Sequence, residues 1–238
     1  MTGRERTRAV LAGGGGMVFA PLAWSGLPAF VHAPVTGEFW LDPGVTQRML
    51  GDAAVVCAAD ALAVPLLPRL RSPGAHAAPG HPDDVAGLPD VLAVTSLVGR
   101  LAATGAVGQV GELPTLGQLG RLLPGAAAED TEDALSDLAR AALEAGADAV
   151  AVRGEDHEDV RRTVDAIASL AGFYGAPTLG VAGERAWAAD DSLPVGVLRP
   201  GGSWPGLPRG LILTSGDITG WGSAADVRAL LPPRGEAV

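Results

Sequence analysis

Short segments that are apolar at nearly every position alternate with longer segments that are apolar on one face only. A strand buried on both faces reads as an unbroken apolar run, and such strands belong to parallel sheets covered by helices. Seven segments read this way, near 18–24, 61–67, 91–97, 148–154, 176–182, 194–199 and 210–215. Between them lie helical patterns. Asp42-Pro43 offers an N-cap followed by proline at the first helical position, with Val45, Met49, Ala53 and Val56 at helical spacing. Residues 129–145 begin acidic, carry Leu135, Leu138, Ala142 and Leu143 on one face, and stop at Gly146. In "HEDVRRTVDAIASLAG", Val160, Val164, Ile167 and Ala171 form the inward stripe. Ser223-Ala224-Ala225-Asp226 caps a last helix that ends by Pro232. Residues 98–125 are broken by glycine and proline and give no clear element.

Four consecutive glycines, Gly13–Gly16, raise the possibility of a phosphate loop. Such loops run strand, glycines, helix, so that the free N–H groups of the helix meet the anion. Here Thr2-Gly3-Arg4-Glu5 caps a helix that reaches about Leu11, and "MVFAPLAW" after the glycines reads as a strand. The order is reversed, so the glycines read as a turn into the first strand. No glycine fingerprint stands at any strand-to-helix junction, which leaves a dinucleotide-binding fold without support. The pattern predicts a parallel (β/α) barrel in one domain over residues 1–238. A full barrel has eight strands in about 250 residues. Residues 183–193 are too few for a complete βα unit, so the barrel is expected to be abridged by about one unit.

The net charge of -10 excludes nucleic acid and anionic membranes as natural partners. All 17 positive residues are arginine, which excludes Schiff-base chemistry and a Walker lysine. The one cysteine, Cys57, sits in the apolar run "AAVVCAAD" and reads as a small core residue; a reactive thiol is the alternative. No cofactor and no metal is expected. Arg4, Arg6 and Arg8 before an apolar stretch imitate a leader, but glycines and prolines interrupt that stretch, so a cytoplasmic protein is expected.

The segments "MVFAPLAWSGLPAF", "EFWLDPGVTQRMLGDAAVVCAADALAVPLL", "ALEAGADAVAVRG" and "RGLILTSGDITGWGSAADVRALL", in this order, resemble the uroporphyrinogen decarboxylase superfamily. That group also includes corrinoid-linked methyltransferases. The resemblance implies a barrel, lyase or transferase chemistry on a carboxylated molecule, and pairing into homodimers. The family's motif residues are replaced. "LAWSGLPAF" has no arginine where the decarboxylase has an arginine-rich segment. Leu66 and Leu67 stand near its catalytic aspartate, and Gly216-Asp217 stand where it has histidine. Asp60 begins its strand and therefore falls at the opposite, stability end of a barrel. Porphyrin decarboxylation and zinc-dependent methyl transfer are accordingly not expected.

Barrel sites form where strands end. Arg153 and Arg199 each follow an apolar strand and would grip an anion, or else form rim salt bridges with Glu155 or Asp156. Trp24, Ser25 and Ser215 would join them in binding substrate. Arg69, Arg71, Thr95, Ser96, Glu184 and Arg185 are further strand-end groups. Asp217 and His157 are the proton-transfer candidates, the alternatives being an Asx turn and a solvent-facing first helical turn. His76, His81, Asp83 and Asp84 could hold a metal only if their polar loop folded back. The expected function is an enzyme acting on a small carboxylated molecule. The alternative is a catalytically degenerate protein of the same fold that binds a ligand or a partner subunit.

Overall fold

The computed structural model describes residues 1–23, 31, 41–68, 81, 84–190, 193–199, 202, 207, 209–217, 221 and 223–231, with the backbone alone at 216, 217 and 224. Its elements are α1 (Gly3–Leu11), β1 (Met17–Leu22), α2 (Pro43–Cys57), β2 (Ala61–Pro65), α3 (Pro89–Thr104), β3 (Gly108–Leu113), α4 (Leu116–Leu122), α5 (Ala128–Glu144), β4 (Ala149–Gly154), α6 (His157–Phe173), β5 (Thr178–Ala182), β6 (Arg185–Ala188), β7 (Val195–Leu198), β8 (Gly210–Asp217) and α7 (Ala224–Leu230). The strands hydrogen-bond in the order β6-β5-β4-β3-β2-β1-β8-β7. All neighbours are parallel except β5 and β6. β6 and β7 lie against each other at the two ends of this order without a ladder between them. The sheet is thus an α/β barrel of eight strands, closed by hydrogen bonds everywhere except at this seam.

The abridgement falls where the short 183–193 segment predicts it. β5 turns straight back into antiparallel β6, and no helix separates β5, β6 and β7 among the described residues. Besides β6, which falls on none of the expected strands, two features differ from the sequence reading. The apolar run at 91–97 is not a strand but the middle of α3, with Val91, Val94, Leu97, Val98 and Leu101 buried at helical spacing and Leu92 exposed. Pro89 at its first turn and Gly105 in the left-handed conformation after it mark its ends. The strand that takes this place in the barrel is β3, "GQVGEL", whose two glycines, glutamine and glutamate hide a fully buried strand.

The alternation of strand side chains separates two apolar layers. Ala20, Leu22, Ala61, Ala63, Val110, Ala149, Ala151, Leu179, Val181, Leu211 and Leu213 pack together inside the barrel. Phe19, Leu62, Val64, Val150, Val152 and Ile212 face outward and pack with the helices. Many of the inward residues are alanine, so the interior is narrow and filled.

α1 belongs to neither layer. It lies across the N-terminal ends of the strands and inserts Val10 into the interior cluster. Its capping box forms as the sequence predicts. Arg6 pairs with Asp60 at 2.6 Å, and Asp60 also accepts from Phe19 N. Arg4 and Arg8 converge on Asp148, whose side chain is 2% exposed and also accepts from Gln109 N at 3.0 Å. Thr7 lies so close to Gly108 that a Cβ there would stand 2.6 Å from its side chain. The glycine run does form a turn. Gly13 and Gly16 have φ of 84° and 107°, a conformation that favours glycine, and they carry the chain from α1 into β1.

Candidate functional site

At the opposite end, the inward alternation continues one step beyond the apolar core and becomes polar. On β4 the inward positions run Ala149, Ala151, Arg153; on β3 they run Val110, Glu112; on β8 they run Leu211, Leu213, Ser215. Pro65 ends β2 in the same layer. A cavity of about 1150 Å³ lies above, lined by these groups and by the segments after β3, β4, β5 and β7.

Arg153 is the centre of this layer. It is 8% exposed. Its Nε donates to Glu112 Oε2 at 2.7 Å, and its Nη1 donates to the backbone carbonyl of Thr214 at 2.7 Å. The guanidinium therefore crosses from β4 toward β8, fixed at two of its three nitrogens. Its Nη2 is buried and has no hydrogen-bond partner. Gln109 Oε1, Thr178 Oγ1 and Trp221 Nε1 also lack one, but none of those residues lines the cavity. A buried donor without a partner costs about 1–3 kcal/mol, and more when it is charged. Arg153 is one of the residues that line the cavity, and an acceptor that reached Nη2 would complete its hydrogen bonding. The ion pair differs from both expected partners of Arg153: Glu112 takes it, not Glu155 or Asp156.

Around the layer the other charges are mostly committed. Arg199 pairs with Glu184, across the seam between the β5–β6 turn and the end of β7. Arg162 pairs with Asp159 at 2.9 Å. Asp156 caps α6 by accepting from Glu158 N and Asp159 N. Asp159 also accepts from Gly117 N at the start of α4. Partial burial pushes its carboxyl up, but hydrogen bonds from Thr115 and Arg162, the Gly117 N–H and the Arg162 charge outweigh this and hold it below the usual range. Thr163 Oγ1 accepts from Leu116 N at 2.9 Å, so α6 holds both first amides of α4 in place.

The sequence-predicted site residues divide as follows. Arg153, Arg199 and Ser215 line the cavity, with Glu155, Asp156 and Glu184. His157 does not line it; this half-buried side chain starts α6 and packs on Trp187 of β6, the ring centroids 4.8 Å apart. Asp217 ends β8 opposite Leu22, with its side chain outside the described residues. Trp24, Ser25, Arg69, Arg71, His76 and Asp83 also lie outside them. Thr95 and Ser96 sit within α3, where Thr95 Oγ1 donates to the carbonyls of Val91 and Leu92, far along the chain from any strand end. Asp60 is at the N-terminal end, as its place before β2 predicts. Among the described residues no three His, Cys, Asp or Glu side chains stand together as a metal site. Glu112 and Arg121 were missed with the whole 98–125 stretch. The one signal for Glu112 was a lone acid inside an otherwise neutral, strand-length run before Pro114.

No protein-family model matches the chain, and no curated protein matches it. Among solved structures it is similar to a crystal structure of phosphonopyruvate hydrolase in complex with oxalate and magnesium. The identity is 15%, the alignment covers 98% of this chain and 92% of that one, and the TM-score is 0.33. A likeness of that degree adds nothing to the reading of the cavity.

Proposed function

We propose that the polar end of the barrel binds a small carboxylated molecule, and that the protein is an enzyme of the lyase or transferase kind resembling the uroporphyrinogen decarboxylase superfamily. The observation that carries this reading is Arg153 Nη2, a buried cationic donor without a partner beside a cavity large enough for a small molecule. A carboxylate oxygen supplies the missing acceptor. Ser215 follows Thr214, whose carbonyl already holds the same guanidinium, so its hydroxyl is a natural second donor to the bound anion. Arg199, paired with Glu184, stands at the rim. Asp217, two residues beyond Ser215 on β8, is the group assigned to move a proton. The setting is cytoplasmic and the assembly a homodimer; among the described residues no helix is long and apolar enough to cross a membrane.

The test is a calorimetric titration of the protein with short-chain carboxylates, repeated with Arg153→Gln and with the double variant Glu112→Gln/Arg153→Gln. The double variant removes the buried charges together and so preserves the packing. Binding in the wild type, lost by about tenfold or more in both variants, supports the reading. Equal affinity in all three refutes it. Turnover that Asp217→Asn abolishes, with ligand affinity retained, separates an enzyme from a binding protein of the same fold.

A further inference from the structure

This inference rests on the carboxylate reading above and concerns what else the ligand must carry. The cavity is lined by four arginines and five carboxylates, a net charge of -1 among the described groups. The pairs Arg153–Glu112, Arg162–Asp159 and Arg199–Glu184 cancel locally. Arg153 therefore offers a directed N–H at the floor with little net positive field around it. A singly charged anion gains a hydrogen bond there, but the mouth as a whole does not attract it.

One lining arginine differs. Arg121, exposed near the end of α4, has no carboxylate on it among the described residues. It is held at the cavity because α4 is fixed at its other end, by Asp159 on Gly117 N and Thr163 on Leu116 N. Among the described residues that line the cavity, its charge is the one uncancelled cation, and it stands toward the rim from Arg153. We propose that Arg121 is a specificity-determining residue that reads a second negative charge, so that the ligand is a dicarboxylate spanning the cavity from floor to rim. Glu155, which has no cation on it among the described residues, would instead favour an amino-carboxylate, and this is the rival outcome.

The experiment uses the full chain at low ionic strength and measures the affinity of diacids from malonate to adipate, of the matched monoacids from propionate to hexanoate, and of 4-aminobutyrate. The best diacid is expected to bind about tenfold or more tightly than the monoacid of equal length. Arg121→Gln is expected to erase that ratio and leave monoacid affinity unchanged; Arg121→Lys, which keeps the charge, is expected to retain part of it. A ratio near one in the wild type, a ratio that survives Arg121→Gln, or tighter binding of 4-aminobutyrate overturns the assignment of Arg121 while the carboxylate site stands. Absence of binding by every carboxylate in the wild type sinks the site itself, and the inference with it.

Discussion

Two arginines occupy opposite ends of the same barrel, Arg4 partly buried and Arg153 buried, and their partners differ. At the N-terminal end Arg4 uses its whole guanidinium. Nε meets Asp148, Nη1 donates to the carbonyl of Ala102, and Nη2 donates to the carbonyl of Gly146 at 2.7 Å. At the C-terminal end Arg153 uses Nε and Nη1 and leaves Nη2 open beside a cavity. The first arrangement ties three parts of the chain together and presents nothing further to a ligand. The second is fixed as firmly but one acceptor short. Arg4 thus has all three nitrogens engaged at one end, while Arg153 keeps one buried donor without a partner at the other, the end at which barrels in general bind.

Removing Asp148 is the largest expected break. Asp148→Ala strips the counter-charge from Arg4 and Arg8 and the acceptor from Gln109 N. It should cost about 3–5 kcal/mol in urea unfolding. Affinity for a bound carboxylate should stay within about twofold, since the cavity is at the other end. Arg153→Gln should destabilise by a comparable amount, about 3 kcal/mol, because the buried Glu112 loses the cation that pairs with it at 2.7 Å. The contrast sharpens in the double variant Glu112→Gln/Arg153→Gln, which should recover most of that stability and none of the binding.

A smaller effect is expected from Gly108→Ala, where the new methyl meets Thr7 and lifts α1 from the strand ends. Overpacking of this kind costs about 1–3 kcal/mol, read as a lower melting temperature with ligand affinity intact. Cys57 should show the least. Burial pushes its thiol up from 9.0 to about 12, opposed only in part by Arg228. In the folded protein it should resist alkylation at pH 8 and react at once on unfolding. The raised value means the thiol supports the fold fully below about pH 9 and loses that support as pH climbs toward 12.

Much of the barrel was legible because burial on both faces writes itself as apolar runs. β1, β2, β4, β5, β7 and β8 all fall on such runs, and the capping boxes at Thr2 and Ser223 stand as their spacing predicts. Where burial is achieved by pairing and not by apolarity, the pattern disappears. β3 carries Glu112 inside the barrel because Arg153 neutralises it, and two of its glycines leave no side chain to signal burial. β6 left no apolar run for a different reason: it is a four-residue edge strand, exposed at Arg185 and buried only at Ala188. The run at 91–97 misleads in the other direction. Its valines and leucines look like a strand, and only the exposed Leu92 and Pro89 mark them as helical. Of the site, Arg153 and Ser215 could be placed by counting two residues along a strand from an inward alanine or leucine. The partner of Arg153 could not, because the pairing is a contact between β3 and β4 that no local pattern encodes.

Arg153 Nη2, buried and without a protein partner, is the proposed ligand contact. A crystal of the protein soaked with the tightest-binding carboxylate tests it most directly. A carboxylate oxygen is expected within about 2.7–3.2 Å of Arg153 Nη2, with the Glu112 and Thr214 contacts unchanged. A carboxylate bound elsewhere, or Nη2 turned onto a protein acceptor in the liganded crystal, contradicts it.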